Sequence, residues 1–278
     1  DLYAENYDGT TTKPSATGTN SVAIGTGSGG AATASGFNAI ALGVDAQSNG
    51  GASVAMAYSI ASGSYSFSAA GGNSQAWGAT GAGAVAIGAG TNARADSSVA
   101  LGASAYTQTG TQSVAIGDSY ASGSHSLAAA ISTNNSSYGA TGANSIAIGQ
   151  QAKATGSDSV CVGKLSITSS GNSFSFGRNN ITSGAASMSL GTEADASQIY
   201  STAMGHQSKS AIFGKLAYAS GYFATNSDAQ KGTFVLRCDT TDATAEALTA
   251  NNSTAAATNQ VVLPNNSVYG FTGTIIAR

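Results

Sequence analysis

The sequence predicts an all-β fold, a solenoid of parallel coils each of roughly 14 residues. Three observations carry that prediction. A five-residue motif keeps returning, the step between its copies is nearly constant, and the composition is rich in small residues and poor in charge. The motif reads "SVAIG" at 21–25, "SVALG" at 98–102, "SVAIG" at 113–117 and "SIAIG" at 145–149. Looser copies place its last residue at Gly25, Gly43, Ala57, Ala70, Gly88, Gly102, Gly117, Ala130, Gly149, Gly163, Gly177, Gly191 and Gly205. A compressed copy, "SAIFG", ends at Gly214. From Gly149 to Gly205 the step is the same four times running, while earlier steps stray slightly from it and three are clearly longer. Self-similarity at a fixed period is the mark of stacked repeats, and a period this short excludes helical repeats and propeller blades.

Each part of the period has its own reason. In "SVAIG" the second and fourth residues are apolar and the third is small. This alternation reads as a strand with one buried face, the Val and Ile expected inside. Glycine after the strand permits positive φ at a tight corner. Alanine at 57, 70 and 130 predicts a slightly different corner there. Serine at the strand entry is placed to bond nearby backbone. The small, polar second half of each period fits a second short strand. Coils stacked ~4.8 Å apart make a rod on the order of 65 Å long.

Composition agrees. Among 278 residues there are 37 glycines, 2 prolines and only 8% charged residues, against roughly 25% in ordinary domains. A net charge of −3 offers no footprint for nucleic acid. No apolar run is long enough for a transmembrane helix, so membrane insertion is not expected. The first residues, "DLYAENYDGTTTKP", lack an initiator Met and an apolar leader, and read as part of a longer or processed polypeptide. Cys161 and Cys238 lie far apart and outside any metal-type spacing, so both read as small packed hydrophobes. One coil buries too little apolar surface to offset the ~15 kcal/mol or more that ordering its backbone costs. Coils therefore depend on their neighbours, and a thin rod of this kind is expected to be braced by copies of itself, most simply as a homotrimer.

The repeats resemble the head repeats of trimeric autotransporter adhesins, the YadA-like family, over about residues 19 to 214. That resemblance implies a left-handed parallel β-roll, three of which pack into an adhesive head. The family's neck motif, heptad stalk and membrane anchor are not seen here. A second resemblance concerns "AQKGTFVLRCDTTDATAEALT…VVLPNNSVYGFTGTIIAR". It is similar to segments near the ends of tail-fibre proteins of marine and cyanobacterial phages. Together these imply a non-catalytic trimeric fibre that binds a host surface glycan or outer-membrane protein. A phage tail fibre on the virion, joined to other tail proteins, is the first expectation. The head of a bacterial surface adhesin is the alternative. Both are extracellular.

The chain then divides into a lead-in (1–18), the roll (19–214), a transition (215–228) and a C-terminal β cap (229–278). In that cap 232–240, "QVVLP" and "SVYGFTGTIIAR" read as antiparallel strands, and "ATAEALTANNS" as a short helix or loop. A larger duplication overlies the repeat, since 53–70 matches 113–130. Each block carries one overlong coil, with tips at 73–81 and 134–142. Trp77 and Tyr138 occupy the same aligned position there. With Gln75, Asn135 and Phe37 (in the excursion at 26–38) they are the candidate receptor contacts. The plainer reading of the two rings is that they fold back onto the roll.

Little points to catalysis. His125 and His206 have no metal-type neighbours and read as solvated loop residues. Glu193 and Asp195, two apart, would share one face of a strand ~6.5–7 Å apart. Carboxylate pairs at such spacing can cleave glycosides, but acidic residues beside a turn are ordinary. No cofactor or metal is expected. Lys153, Lys164, Lys209 and Lys215 read as solubilising charges on the outer face.

Overall fold

The computed structural model describes residues 12–26, 30–70, 77–132, 137–263 and 267–276. Two parallel ladders build it. One sheet has 14 strands of two residues each, from Ser15–Ala16 to Lys209–Ser210. The other stacks the motif strands from Val22–Ile24 to Leu216–Ser220 and ends on one antiparallel strand, Gln230–Thr233. One short and one motif strand make a coil, so the chain winds a parallel β-solenoid of about 14 turns, with no helix among the described residues. Motif strands pair like with like, as in Val85↔Val99, Ala86↔Ala100 and Ile87↔Leu101.

The ladder does not stop at the strands. Turn residues also bond the next coil, as in Ser97 N–H to Ala82 O (2.7 Å) and Gln112 N–H to Asp96 O (3.0 Å). Corners do the same, as in Asn179 N–H to Lys164 O and Glu193 N–H to Arg178 O. Backbone polar groups are thereby satisfied coil to coil.

The motif serine closes the turn before its strand. Its hydroxyl donates to the carbonyl three residues back, at 2.7 Å for Ser53 to Gly50 and 2.6 Å for Ser159 to Gly156. The residue before it takes positive φ, 55° to 59° at Asn20, Asn144, Asp158 and Asn172, a conformation Asn and Asp tolerate best.

All ten corner glycines take positive φ, from 72° at Gly117 to 132° at Gly163. The alanine corners differ, as expected, with φ of 46° to 55° at Ala57, Ala70 and Ala130. At Gly177 (φ +130°) a Cβ would sit 1.9 Å from the Gly191 carbonyl oxygen, whereas at Gly117 it would meet nothing within 4 Å.

The inside of the roll corrects the sequence reading. The middle residue of each motif strand points in, and Ala41, Ala55, Ala86, Ala100, Ala115 and Ala147 are fully buried. The facing column holds Ala34, Ala61, Ala93, Thr107, Ala154, Thr168 and Thr182, also fully buried. The flanking Val and Ile point outward instead. The two sheets lie so close that only small side chains fit between them. Toward the C-terminal end the interior becomes polar and internally bonded, Thr182 pairing with Ser189 and Ser166 donating to Gly177 O (3.0 Å).

Regular winding runs from Ser15 to Ser220. Gly214 ends no motif strand. It lies in a turn (φ 63°), and the last motif strand of the roll is Leu216–Ser220, paired Thr202↔Leu216. Lys215 takes the serine position of that coil. It is buried, donates to Lys209 O (3.2 Å) and lies over the Phe234 ring at 5.6 Å. The expectation of a solvated Lys215 is thus corrected.

The C-terminal segment covers the last coil with less sheet than expected. Gln230–Thr233 pairs antiparallel with Leu216–Ser220. The Gln230 side chain caps the other sheet, accepting from Lys209 N–H (2.9 Å) and donating to Lys209 O (3.0 Å). A single bridge joins Arg237 and Thr249. Residues 260–263 and 267–276 form no strand, and 241–251 no helix. The alternation in "SVYGFTGTIIAR" finds no sheet edge in its own chain, and Val268, Ile275 and Ile276 stay exposed.

Two outcomes follow. Gly177→Ala is expected to cost about 3 kcal/mol or more and Gly117→Ala only about 1 kcal/mol, read by thermal melting; equal shifts contradict the corner assignment. Burial holds the Lys215 ammonium below its ordinary 10.5. The unfolded chain therefore binds that proton more readily, and the penalty fades as pH rises through the folded pKa toward 10.5. The stability advantage of Lys215→Met over wild type should fall over that rise, and a pH-independent difference contradicts it.

Candidate binding surfaces

The outward face of the motif-strand sheet is the largest feature. Nearly every coil contributes two apolar side chains, in columns that run Val85, Val99, Val114 and Ile87, Leu101, Ile116, with Thr202 an exception. Further on they become Phe174, Met188 and Phe176, Leu190. Ile116 is 44% and Phe176 41% exposed. The face is continuous from the first coil to the last because equivalent residues pair in register. A strip of that length marks an interaction surface.

The outward face of the short-strand sheet is different. It mixes Gln47, Tyr106, Tyr120, Lys153, Asp195 and Lys209 with the exposed Ile167 and Ile181. Tyr106 and Tyr120, paired in register on adjacent short strands, stack with centroids 5.7 Å apart. Arg94 donates to the Tyr106 hydroxyl (3.0 Å), and the Tyr120 hydroxyl donates to Gln108. Burial pushes the Tyr120 phenol above its ordinary range. The two tyrosines stand one repeat step apart but outside the motif.

The candidate receptor contacts separate. Gln75 and Asn135 lie outside the described residues. Trp77 and Tyr138 both sit immediately before a short strand, Gly78–Ala79 and Gly139–Ala140. Regular coils place a small buried residue there, such as Ala105 or Ala152. Tyr138 folds back and packs on the central core cluster. Trp77 remains 42% exposed, its ring beside Gly90. Phe37 is exposed, but it belongs to the Gly36–Asn38 turn of the second coil and not to a long excursion. Ile131, after the Ala130 corner, is fully buried and accepts from Gln151 N–H (2.8 Å). Sequence reading gave it no role.

The remaining chemistry is sparse. Cys161 is buried in an inner column, donates to Ser166 O (3.0 Å), and its thiol is pushed up by burial. Among the described residues no cluster of three His, Cys, Asp or Glu side chains is placed to hold a metal. Glu193 and Asp195 do not share a strand face as expected. Glu193 sits at a corner with φ 57°, and only Asp195 lies in a strand. Glu193 accepts from the Gln207 amide (2.8 Å), and Asp195 pairs with Lys209 (3.5 Å).

The comparisons with known proteins fit this geometry. The model of the YadA head domain repeat (2 copies) matches residues 15–28, 34–56, 79–105, 140–166 and 183–208. These segments are similar to the head repeats of an adhesin and fall within the parallel roll. None reaches past residue 208, so the tail-fibre resemblance of the C-terminal string gains no support. No curated protein matches the chain. The matched segments are thus similar to a head-repeat solenoid in sequence as in winding, and no helix among the described residues is long and apolar enough to cross a membrane.

The two aromatic positions should separate in stability. Tyr138→Ala is expected to cost about 2–4 kcal/mol and Trp77→Ala about 1 kcal/mol. Denaturant unfolding of both variants checks the order, and a larger loss at Trp77 contradicts it.

Proposed function

We propose that this chain is the non-catalytic head of a trimeric bacterial surface adhesin. The observation that carries the proposal is the outward apolar face of the motif-strand sheet, taken with the matched head repeats. A roll with a core of Ala, Ser and Thr leaves its Val, Ile, Leu and Phe outside. Three copies turned about a common axis bury those columns against one another. Each large side chain so covered contributes ~1.5–3 kcal/mol. Brought together, the three copies form one stiff rod on the bacterial surface.

Burying that face turns the short-strand sheet and the excursions outward. The polar column with Tyr106 and Tyr120, and the partly exposed Trp77, then meet the host surface. A glycan or an exposed outer protein of the host is the partner. No step of this role needs a bond made or broken. The tail-fibre alternative has no structural observation of its own.

Sedimentation equilibrium should return three times the 27.0 kDa chain mass. The double variant Ile116→Asp with Phe176→Asp should dissociate, since a charge in a covered apolar face is strongly disfavoured. Beads coated with wild type should attach to host cells or matrix, and beads coated with the variant should not. A monomeric wild type, or attachment unaffected by dissociation, overturns the proposal.

A further inference from the structure

A cavity of about 250 Å³ opens where the roll meets the C-terminal segment. Its walls come from successive coils at the repeat spacing. Asn179 and Glu193 stand at consecutive corners, while Ile181, Asp195 and Lys209 point outward from three consecutive short strands. Asn226 closes it from the turn held by the Asp228 carboxylate, which accepts from Phe223 and Ala224 N–H (2.7 Å each).

Bare acceptors mark this place. Asp195 Oδ1 is buried without a partner, and so is the Oγ of Ser208, a cavity-lining residue only 1% exposed. Gln207, next to it, is also buried and leaves its Oε1 bare while its amide nitrogen donates to Glu193. Buried polar atoms in a folded protein ordinarily have partners, and unpaired ones call for a ligand or ordered water.

Charge and size choose among ligands. Lys209 Nζ stands 3.5 Å from Asp195 Oδ2, so a divalent cation would meet a resident ammonium. A neutral molecule meets no such opposition. The volume exceeds the roughly 30 Å³ of one water and falls below the ~300 Å³ where drug-sized pockets begin. We propose that the cavity is a subsite for one hydroxyl-rich sugar residue of a neutral glycan. Asp195 and Glu193 accept from its hydroxyls, the Asn179 and Asn226 amides donate and accept, Lys209 donates, and Ile181 faces its C–H surface. The site lies on the short-strand side, which packing through the motif-strand face leaves open. This deepens the adhesive reading and rests on it for its biological role.

Saturation-transfer NMR on the full chain, with the methyl glycosides of mannose, galactose, glucose and N-acetylglucosamine at about 10 mM, tests the subsite; weak single-sugar binding falls near the millimolar range. At least one glycoside should receive transfer. Asp195→Ala and Glu193→Gln should each weaken it about tenfold or more while keeping the wild-type melting temperature within a few degrees, since these groups are partly exposed. Silence from all four glycosides overturns the proposal, as does transfer that survives both variants. So does calcium alone raising the melting temperature while the sugars do nothing. Cell attachment is a separate readout. Beads that attach without any glycoside binding leave the adhesive head standing without this subsite. Glycoside binding by a chain that attaches to nothing leaves the subsite standing without the adhesive head.

Discussion

The distance between the two sheets governs this molecule. It admits one methyl or hydroxymethyl group from each side, and little more. Ala86, Ala100 and Ala115 fill one inner column, and Ala93, Thr107 and Ala121 the other. An interior this narrow yields little hydrophobic free energy per coil, because each buried methyl is worth only ~0.8 kcal/mol. Larger apolar side chains have nowhere to go but out. The same constraint that keeps the core small therefore builds the long apolar face on the outside.

What the core lacks, the backbone supplies. Strands, turns and corners all bond the coil above and the coil below. Such continuous pairing tolerates no intruding Cβ, which is why glycine recurs where a carbonyl of the next coil lies close, as at Gly177. It also leaves the last coil with unpaired groups, and an open sheet edge invites aggregation. The C-terminal segment meets that need with few residues. One antiparallel strand covers the motif sheet, and one glutamine side chain covers the short-strand sheet.

Much of this was legible in the sequence. The even repeat step, the corner glycines and the serine bonds are local effects, and each recurs often enough to be read directly. Sidedness was not legible. Alternation in "SVAIG" shows that two faces differ, but not which face is enclosed by the chain itself. Large apolar residues suggest burial, yet here they stand on the outside of their own chain. The end of the roll was misread for a similar reason. "LAYAS" lacks serine and glycine at their places, yet stacks in register on "TAMGH". The cavity lay deeper still, since its walls come from three coils and a distant turn.

Division of labour between the two outer faces follows from the winding. Within each coil the motif strand and the short strand turn their outward residues to opposite sides, so a substitution on one face leaves the other untouched. The motif face stays largely apolar along its length, from Val22 through Val99 to Phe176 and Leu216. The short-strand face varies from coil to coil, from Gln47 to Tyr106 to Asp195. Variation without loss of fold is what a recognition surface needs, and a solenoid whose stability lies in backbone ladders permits it at every outward position. Under the adhesive role proposed above, recognition is thereby free to change on one side of the rod while assembly is held constant on the other.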